Sequence, residues 1–93
     1  MQMVNFRYSD TDFISYLVTI GYEYNKIEIT RDRSGKLRAF VYFEGDKTKL
    51  IEMYNEFKNK RTKIDPYQYS LNRKSISKLI KSEILKYQAE RII

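Results

Sequence analysis

A chain of 93 residues with a formal charge of +6 and a pI near 9.5 has room for one modest hydrophobic core and favours anionic partners. It contains no cysteine and no histidine, which removes a disulfide framework, the usual zinc ligands, the cysteine nucleophile and the commonest general base. No apolar run approaches the ~20 residues of a membrane-spanning helix, and Met1-Gln2-Met3-Val4-Asn5 lacks the basic-then-apolar plan of a secretory signal, so a cytoplasmic location is expected.

Val4, Phe6 and Tyr8 alternate with Asn5 and Arg7, which predicts a short first strand or an extended arm laid on a sheet edge. Ser9 and Asp12 stand at capping-box spacing, and Phe13, Tyr16, Leu17 and Ile20 then recur at helical intervals until Gly21 stops the helix. The stretch from Ile27 to Phe43 reads as one β-hairpin. Ile27 to Arg31 alternates apolar with polar, Leu37 to Phe43 is rich in β-branched and aromatic residues, and Asp32-Arg33-Ser34-Gly35 supplies turn chemistry between them. With Asp32 facing Lys36, Arg31 opposes Leu37, Ile29 opposes Ala39 and Ile27 opposes Val41 on a core side. Lys26 then opposes Tyr42, Glu28 opposes Phe40 and Thr30 opposes Arg38 on the other side.

Gly45-Asp46 is expected to break the strand and cap a second helix striped by Leu50, Met53, Tyr54 and Phe57. Asp65-Pro66-Tyr67-Gln68 starts a third, with Asp65 as N-cap, Pro66 at the first helical position and Gln68 placed to reach back. From there the chain reads as helix nearly to its end. Tyr69, Ile76, Ile80, Ile84 and Tyr87 share one face, Lys74, Lys78 and Lys81 gather roughly opposite, and Leu85 and Ile92 fall near the lysines. With no repeat, linker or low-complexity segment, residues 1–93 make a single α+β domain. A small antiparallel sheet of two or three strands, built on the central hairpin, is covered by three helices, the last one long. Residues 83–93 are either a frayed helix end or, through Leu85 and Ile92, a dimerising one.

The arrangement Tyr8-Ser9-Asp10-Thr11-Asp12-Phe13, Tyr16-Leu17, Gly21-Tyr22, Phe40-Val41-Tyr42-Phe43-Glu44, Tyr54, Phe57, Ile64-Asp65-Pro66 and Tyr69 resembles a family of small phage and bacterial proteins of unknown function. The resemblance covers roughly residues 8 to 80 and rests on structural motifs, with no catalytic signature. It implies an α+β fold and a phage or mobile-element context. The chain departs from it at Lys58-Asn59-Lys60-Arg61-Thr62-Lys63, where the family pattern has a less basic turn containing glycine.

Three groups of residues are candidates for function. Lys58, Lys60, Arg61 and Lys63 precede the helix start at Asp65, where cations and backbone amides can hold a phosphate; the bland alternative is a solvated linker. Lys74, Lys78 and Lys81 either extend that patch or keep a helix face soluble. Lys36 to Phe43, with Arg38, Phe40 and Tyr42 on its second side, partly matches the RNA-recognition strand whose outward aromatics stack on bases. Leu37 replaces the Gly of that pattern and Arg38 an aromatic, and the second half-motif is missing; the ordinary expectation for Phe40 and Tyr42 is a helix lying over them. The acidic pairs Asp10/Asp12 and Glu44/Asp46 suit helix caps better than a metal, and Glu56-Phe57-Lys58, the one Glu-x-Lys spacing, falls on a predicted helix. These residues point to a non-enzymatic basic protein, without metal or cofactor, that binds nucleic acid or a nucleic-acid-bound host complex. The alternative is a protein-binding inhibitor of a host defence nuclease, in the anti-CRISPR manner.

Overall fold

Alternation and turn chemistry become three strands and three helices in the computed structural model, which describes residues 3–60 and 62–92, the side chains of 91 and 92 excepted. The elements are β1 (Met3–Tyr8), α1 (Thr11–Thr19), β2 (Tyr24–Arg31), β3 (Leu37–Asp46), α2 (Lys47–Lys58) and α3 (Pro66–Ile92). The strands form one antiparallel sheet in the order β1-β3-β2, so the second hairpin strand sits at its centre. Among the described residues no helix is long and apolar enough to cross a membrane.

Asp32 sets the turn from which this register grows. Its Oδ1 accepts from the N–H groups of Ser34 (2.9 Å) and Lys36 (3.0 Å) and from the Ser34 hydroxyl (2.6 Å). Its own N–H donates to the Lys36 carbonyl at 2.9 Å, and Gly35 takes φ +87°, where a Cβ would be strained. The pairs that follow are those the alternation predicts, from Arg31 with Leu37 to Ile27 with Val41 and Lys26 with Tyr42. The hairpin is longer than expected. β2 begins at Tyr24, and a bulge between Tyr24 and Lys26 takes up Asn25. β3 also passes through Gly45 to Asp46 instead of breaking there, because Val4 pairs with Gly45 and Met3 with Asp46.

Each helix is cut out by its caps. The N-cap of α1 is Asp10, whose carboxylate accepts from the Asp12 N–H at 3.0 Å, not Ser9 as the capping-box spacing suggested. Its C-terminus closes with Tyr22 N–H on the Leu17 carbonyl (2.9 Å) and Gly21 N–H on that of Val18 (3.1 Å), a pattern that Gly21 permits at φ +107°. Asp46 caps α2 through the Lys49 N–H at 3.2 Å. Asp65 caps α3 through the N–H groups of Tyr67 (2.9 Å) and Gln68 (3.3 Å). The Gln68 amide turns forward to Asn72 at 3.5 Å instead of reaching back.

Helix faces and sheet alternation bring one core together between two layers. Phe13, Ile14, Tyr16 and Leu17 of α1, Val41 and Phe43 of β3, Leu50 of α2 and Ile76 of α3 are buried there. Phe13 is the ring where elements meet: it lies edge-on to Tyr8 at 4.9 Å between centroids, 5.0 Å from Tyr54, 5.4 Å from Phe57 and 6.0 Å from Tyr16. α3 is tied to α1 by Arg73 and Tyr69 on Asp12 and by the Asn72 amide on the Thr19 hydroxyl at 3.0 Å. The core residues of the sheet, Ala39, Val41 and Phe43, all project to the side that the helices cover. Among the described residues no element lies over the other side of the sheet, and this asymmetry positions the site.

Candidate nucleic-acid interface

On β3 the residues between the core positions are Arg38, Phe40, Tyr42 and Glu44, and they project from the helix-free side. Pairing adds Asn5 and Arg7 from β1 and Lys26, Glu28 and Thr30 from β2 to the same surface. The expectation that a helix covers Phe40 and Tyr42 is therefore wrong. Three helices are enough to close one face of a three-stranded sheet, and all three lie on the face that carries Val41 and Phe43. Phe40 and Tyr42 stay half-buried on the open one, shielded by cations instead of by a hydrophobic layer.

The Arg7 guanidinium lies 4.3 Å from the centroid of the Phe40 ring, and the Lys26 ammonium lies 5.3 Å from that of Tyr42. Both cations share one carboxylate: Glu28 is 3.5 Å from Arg7 and 3.6 Å from Lys26, and it also accepts from the Tyr42 hydroxyl at 3.1 Å. These are long, solvent-exposed pairs of the kind worth about 0–1 kcal/mol, so either cation can leave its ring for a better anion at little cost. Arg38 is held at 3.1 Å by Asp32. The Ser34 hydroxyl and then Arg38 keep the Asp32 carboxyl well below the usual range, so it stays charged. The hairpin from Tyr24 to Arg38 carries Lys26, Arg31, Arg33, Lys36 and Arg38 against Glu28 and Asp32 alone, and its tip presents Arg33 and Lys36 to solvent. Glu44 is an acidic group on the same surface, at the end away from the tip.

Of the linker cations that the sequence suggested as an anion site, Lys58 already has a carboxylate partner. Lys58 donates to Asp10 at 2.8 Å and lies 5.3 Å from the Tyr54 ring, which links the end of α2 to the start of α1. Burial pushes the Asp10 carboxyl up, but the hydrogen bonds from Lys58 and the Asp12 N–H outweigh it and leave its pKa lowered, while Asp10 raises that of Lys58. Lys60 adopts φ +58°, and its N–H caps the end of α2 on the Phe57 carbonyl at 3.1 Å. That left-handed conformation is one a glycine adopts without strain. Lys63 is exposed, and Arg61 lies outside the described residues.

Lys74, Lys78 and Lys81 are exposed on α3 and, like Lys60 and Lys63, make no ion pair with a described carboxylate. At 100° per residue they stand about 120–180° round the helix from Tyr69, whose line through Ile76 and Ile80 faces the core. They therefore point out of the helical layer, away from the open face of the sheet.

Three of the four carboxylates in the acidic pairs, Asp10, Asp12 and Asp46, act as structural groups. Asp12 receives the Arg73 guanidinium at 2.6 Å and Asp10 receives Lys58, so each carboxylate of Asp10-Thr11-Asp12 already has its own cation. Asp46 caps α2, and Glu56 and Lys58 lie on that helix. Among the described residues no group of three or more acidic side chains comes close enough to hold a metal ion. Arg7, Lys26 and Arg33 were not among the candidates legible in the sequence; the register already placed Lys26 beside Tyr42, but Arg7 needed the pairing of β1 with β3. Neither a family model nor a curated protein nor a solved structure matches this chain.

Proposed function

We propose that this is a non-enzymatic nucleic-acid-binding protein that holds a single strand on the open face of its sheet. The single observation that carries the reading is the pair Phe40 and Tyr42, side by side on the central strand of an uncovered face, each ring beneath a displaceable cation. Rings two residues apart on a strand lie about 6.7 Å apart, twice the roughly 3.4 Å step of bases stacked in a duplex strand. Two successive bases can occupy both rings only when splayed, which a single strand allows and a duplex does not. Arg7, Lys26 and Arg38, continued by Arg33 and Lys36 at the tip, supply phosphate contacts that carry no sequence information. The resemblance at residues 8 to 80 supports a phage or mobile-element origin for such a protein, with the host cytoplasm as its place of action.

The test is a fluorescence-anisotropy series with single- and double-stranded DNA and RNA at two ionic strengths. Binding that prefers single strands and weakens with salt is expected; no binding at low salt removes the proposal. A second reading, inhibition of a host defence nuclease by protein contact, draws on the apolar groove of Phe6, Tyr8, Ile51 and Tyr54 beside the edge strand β1, where Ile51 is exposed. A host partner that survives nuclease treatment of the lysate in a pull-down favours that reading over the first.

A further inference from the structure

The side of α3 that faces away from the core carries a second pattern. Tyr67, Leu71, Lys74, Lys78, Lys81 and Leu85 follow one another at steps of four, three, four, three and four residues, the alternation that keeps side chains on one seam of paired helices. The large apolar groups on this line are exposed: Tyr67 by 73%, Leu71 by 42% and Leu85 by 66%. Isolated exposed apolar residues need no explanation, but here three of them lie on one line of one helix, two at its start and one toward its end. The middle of the line holds the three lysines that have no carboxylate partner among the described residues. An apolar anchor at each end and unneutralised positive charge between them specify the complement.

We infer that this seam docks an amphipathic helix of a partner protein, with acidic residues at the centre of its own seam and apolar residues toward both ends. A second copy of the chain is the poorer occupant. In the antiparallel pairing that sets Tyr67 and Leu71 of one copy near Leu85 of the other, Lys74 meets Lys81 and Lys78 meets Lys78, so like charges face each other along the middle. A nucleic-acid strand would use the lysines but gains nothing from aliphatic anchors. The inference stands on residues remote from the open face of the sheet and is independent of what that face binds.

The chain itself supplies the probe. The triple variant Lys74→Glu, Lys78→Glu, Lys81→Glu keeps the apolar anchors and turns α3 into an acidic seam of the required kind. The three positions are exposed, so their replacement leaves the core intact, and unchanged melting of the variant verifies this. Sedimentation of an equimolar mixture with the unmodified protein is expected to give a heterodimer of doubled mass, while each protein alone stays monomeric. Leu85→Lys in both proteins is expected to abolish the heterodimer even at low salt, which separates a seam from bare attraction between opposite charges. A mixture that stays monomeric, a heterodimer indifferent to Leu85→Lys, or an unmodified protein that already dimerises through Leu85 would each overturn the inference, the last in favour of a second copy. As a check that does not depend on the triple variant, a synthetic helix with glutamates at three central seam positions and leucines outside them should bind the unmodified protein, and its all-lysine counterpart should not. Equal binding of the two peptides, or none, would count against the acidic partner.

Discussion

Replacing Phe13 by Ala removes the ring on which three elements converge. The side chain is fully shielded from solvent and touches Tyr8 of β1, Tyr16 of its own helix, and Tyr54 and Phe57 of α2 at centroid distances of 4.9, 6.0, 5.0 and 5.4 Å. Truncating a buried Phe to Ala costs about 3–5 kcal/mol through lost burial and the cavity left behind. Four ring contacts, each worth about 0.5–1.5 kcal/mol beyond area, put Phe13 at the upper end of that range. A domain of this length has about 5–14 kcal/mol in total, so the variant is left close to the edge of folding. The assay is equilibrium urea unfolding followed by circular dichroism. With a slope of about 1–1.5 kcal/mol/M, the midpoint should fall by at least about 2 M. Phe13→Leu, which keeps most of the volume and loses the ring contacts, should cost less than the Ala variant but at least about 2 kcal/mol. A loss below about 1 kcal/mol for the Ala variant would show that α2 is not fastened to β1 and α1 through this ring.

Val41→Asp places an unpaired carboxylate in the core opposite Ile27 and Tyr8, and the variant should be unfolded at neutral pH by circular dichroism; native-like melting would mean the register of β3 is wrong. Lys60→Gly relieves a left-handed non-glycine residue at an exposed position and should raise stability by about 0.5–1 kcal/mol in urea unfolding, the strain relief exceeding the added chain entropy; a destabilised variant would refute that geometry. The Asp32 carboxyl titrates lower in the folded chain than its ordinary value of about 3.9, so the stability it contributes is present above about pH 4 and lost as the pH falls toward its folded value. Asp32→Asn should therefore be less stable than the parent at pH 7, with a gap that narrows steadily below about pH 4; a gap that stays constant into strong acid would contradict the turn described above.

The parts of this fold that were legible in the sequence are those fixed by local chemistry. Asp32 and Gly35 define a turn within five residues, and the turn sets every pair from Arg31 with Leu37 to Lys26 with Tyr42. Asp46 and Asp65 cap their helices through their own side chains, which needs nothing from the rest of the chain. What was not legible depends on which side of the sheet the helices choose. Alternation separates Phe40 and Tyr42 from Val41 and Phe43, but both sets are apolar enough to be buried, and only the common placement of all three helices decides between them. The pairing of Arg7 with Glu28 and its ring contact with Phe40 follow from β1 lying beside β3, a partner far away in sequence. Lys58 looked free because Asp10 stands 48 residues away.

The most direct test of the central claim is a two-dimensional amide NMR titration of the labelled protein with a short single-stranded oligonucleotide. The largest shifts are expected on Arg7, Lys26, Arg38, Phe40 and Tyr42, on the open face of the sheet, while Lys74, Lys78 and Lys81 on the outer side of α3 barely move. Shifts confined to those α3 lysines and to Lys60 and Lys63, with Phe40 and Tyr42 unmoved, would contradict that claim.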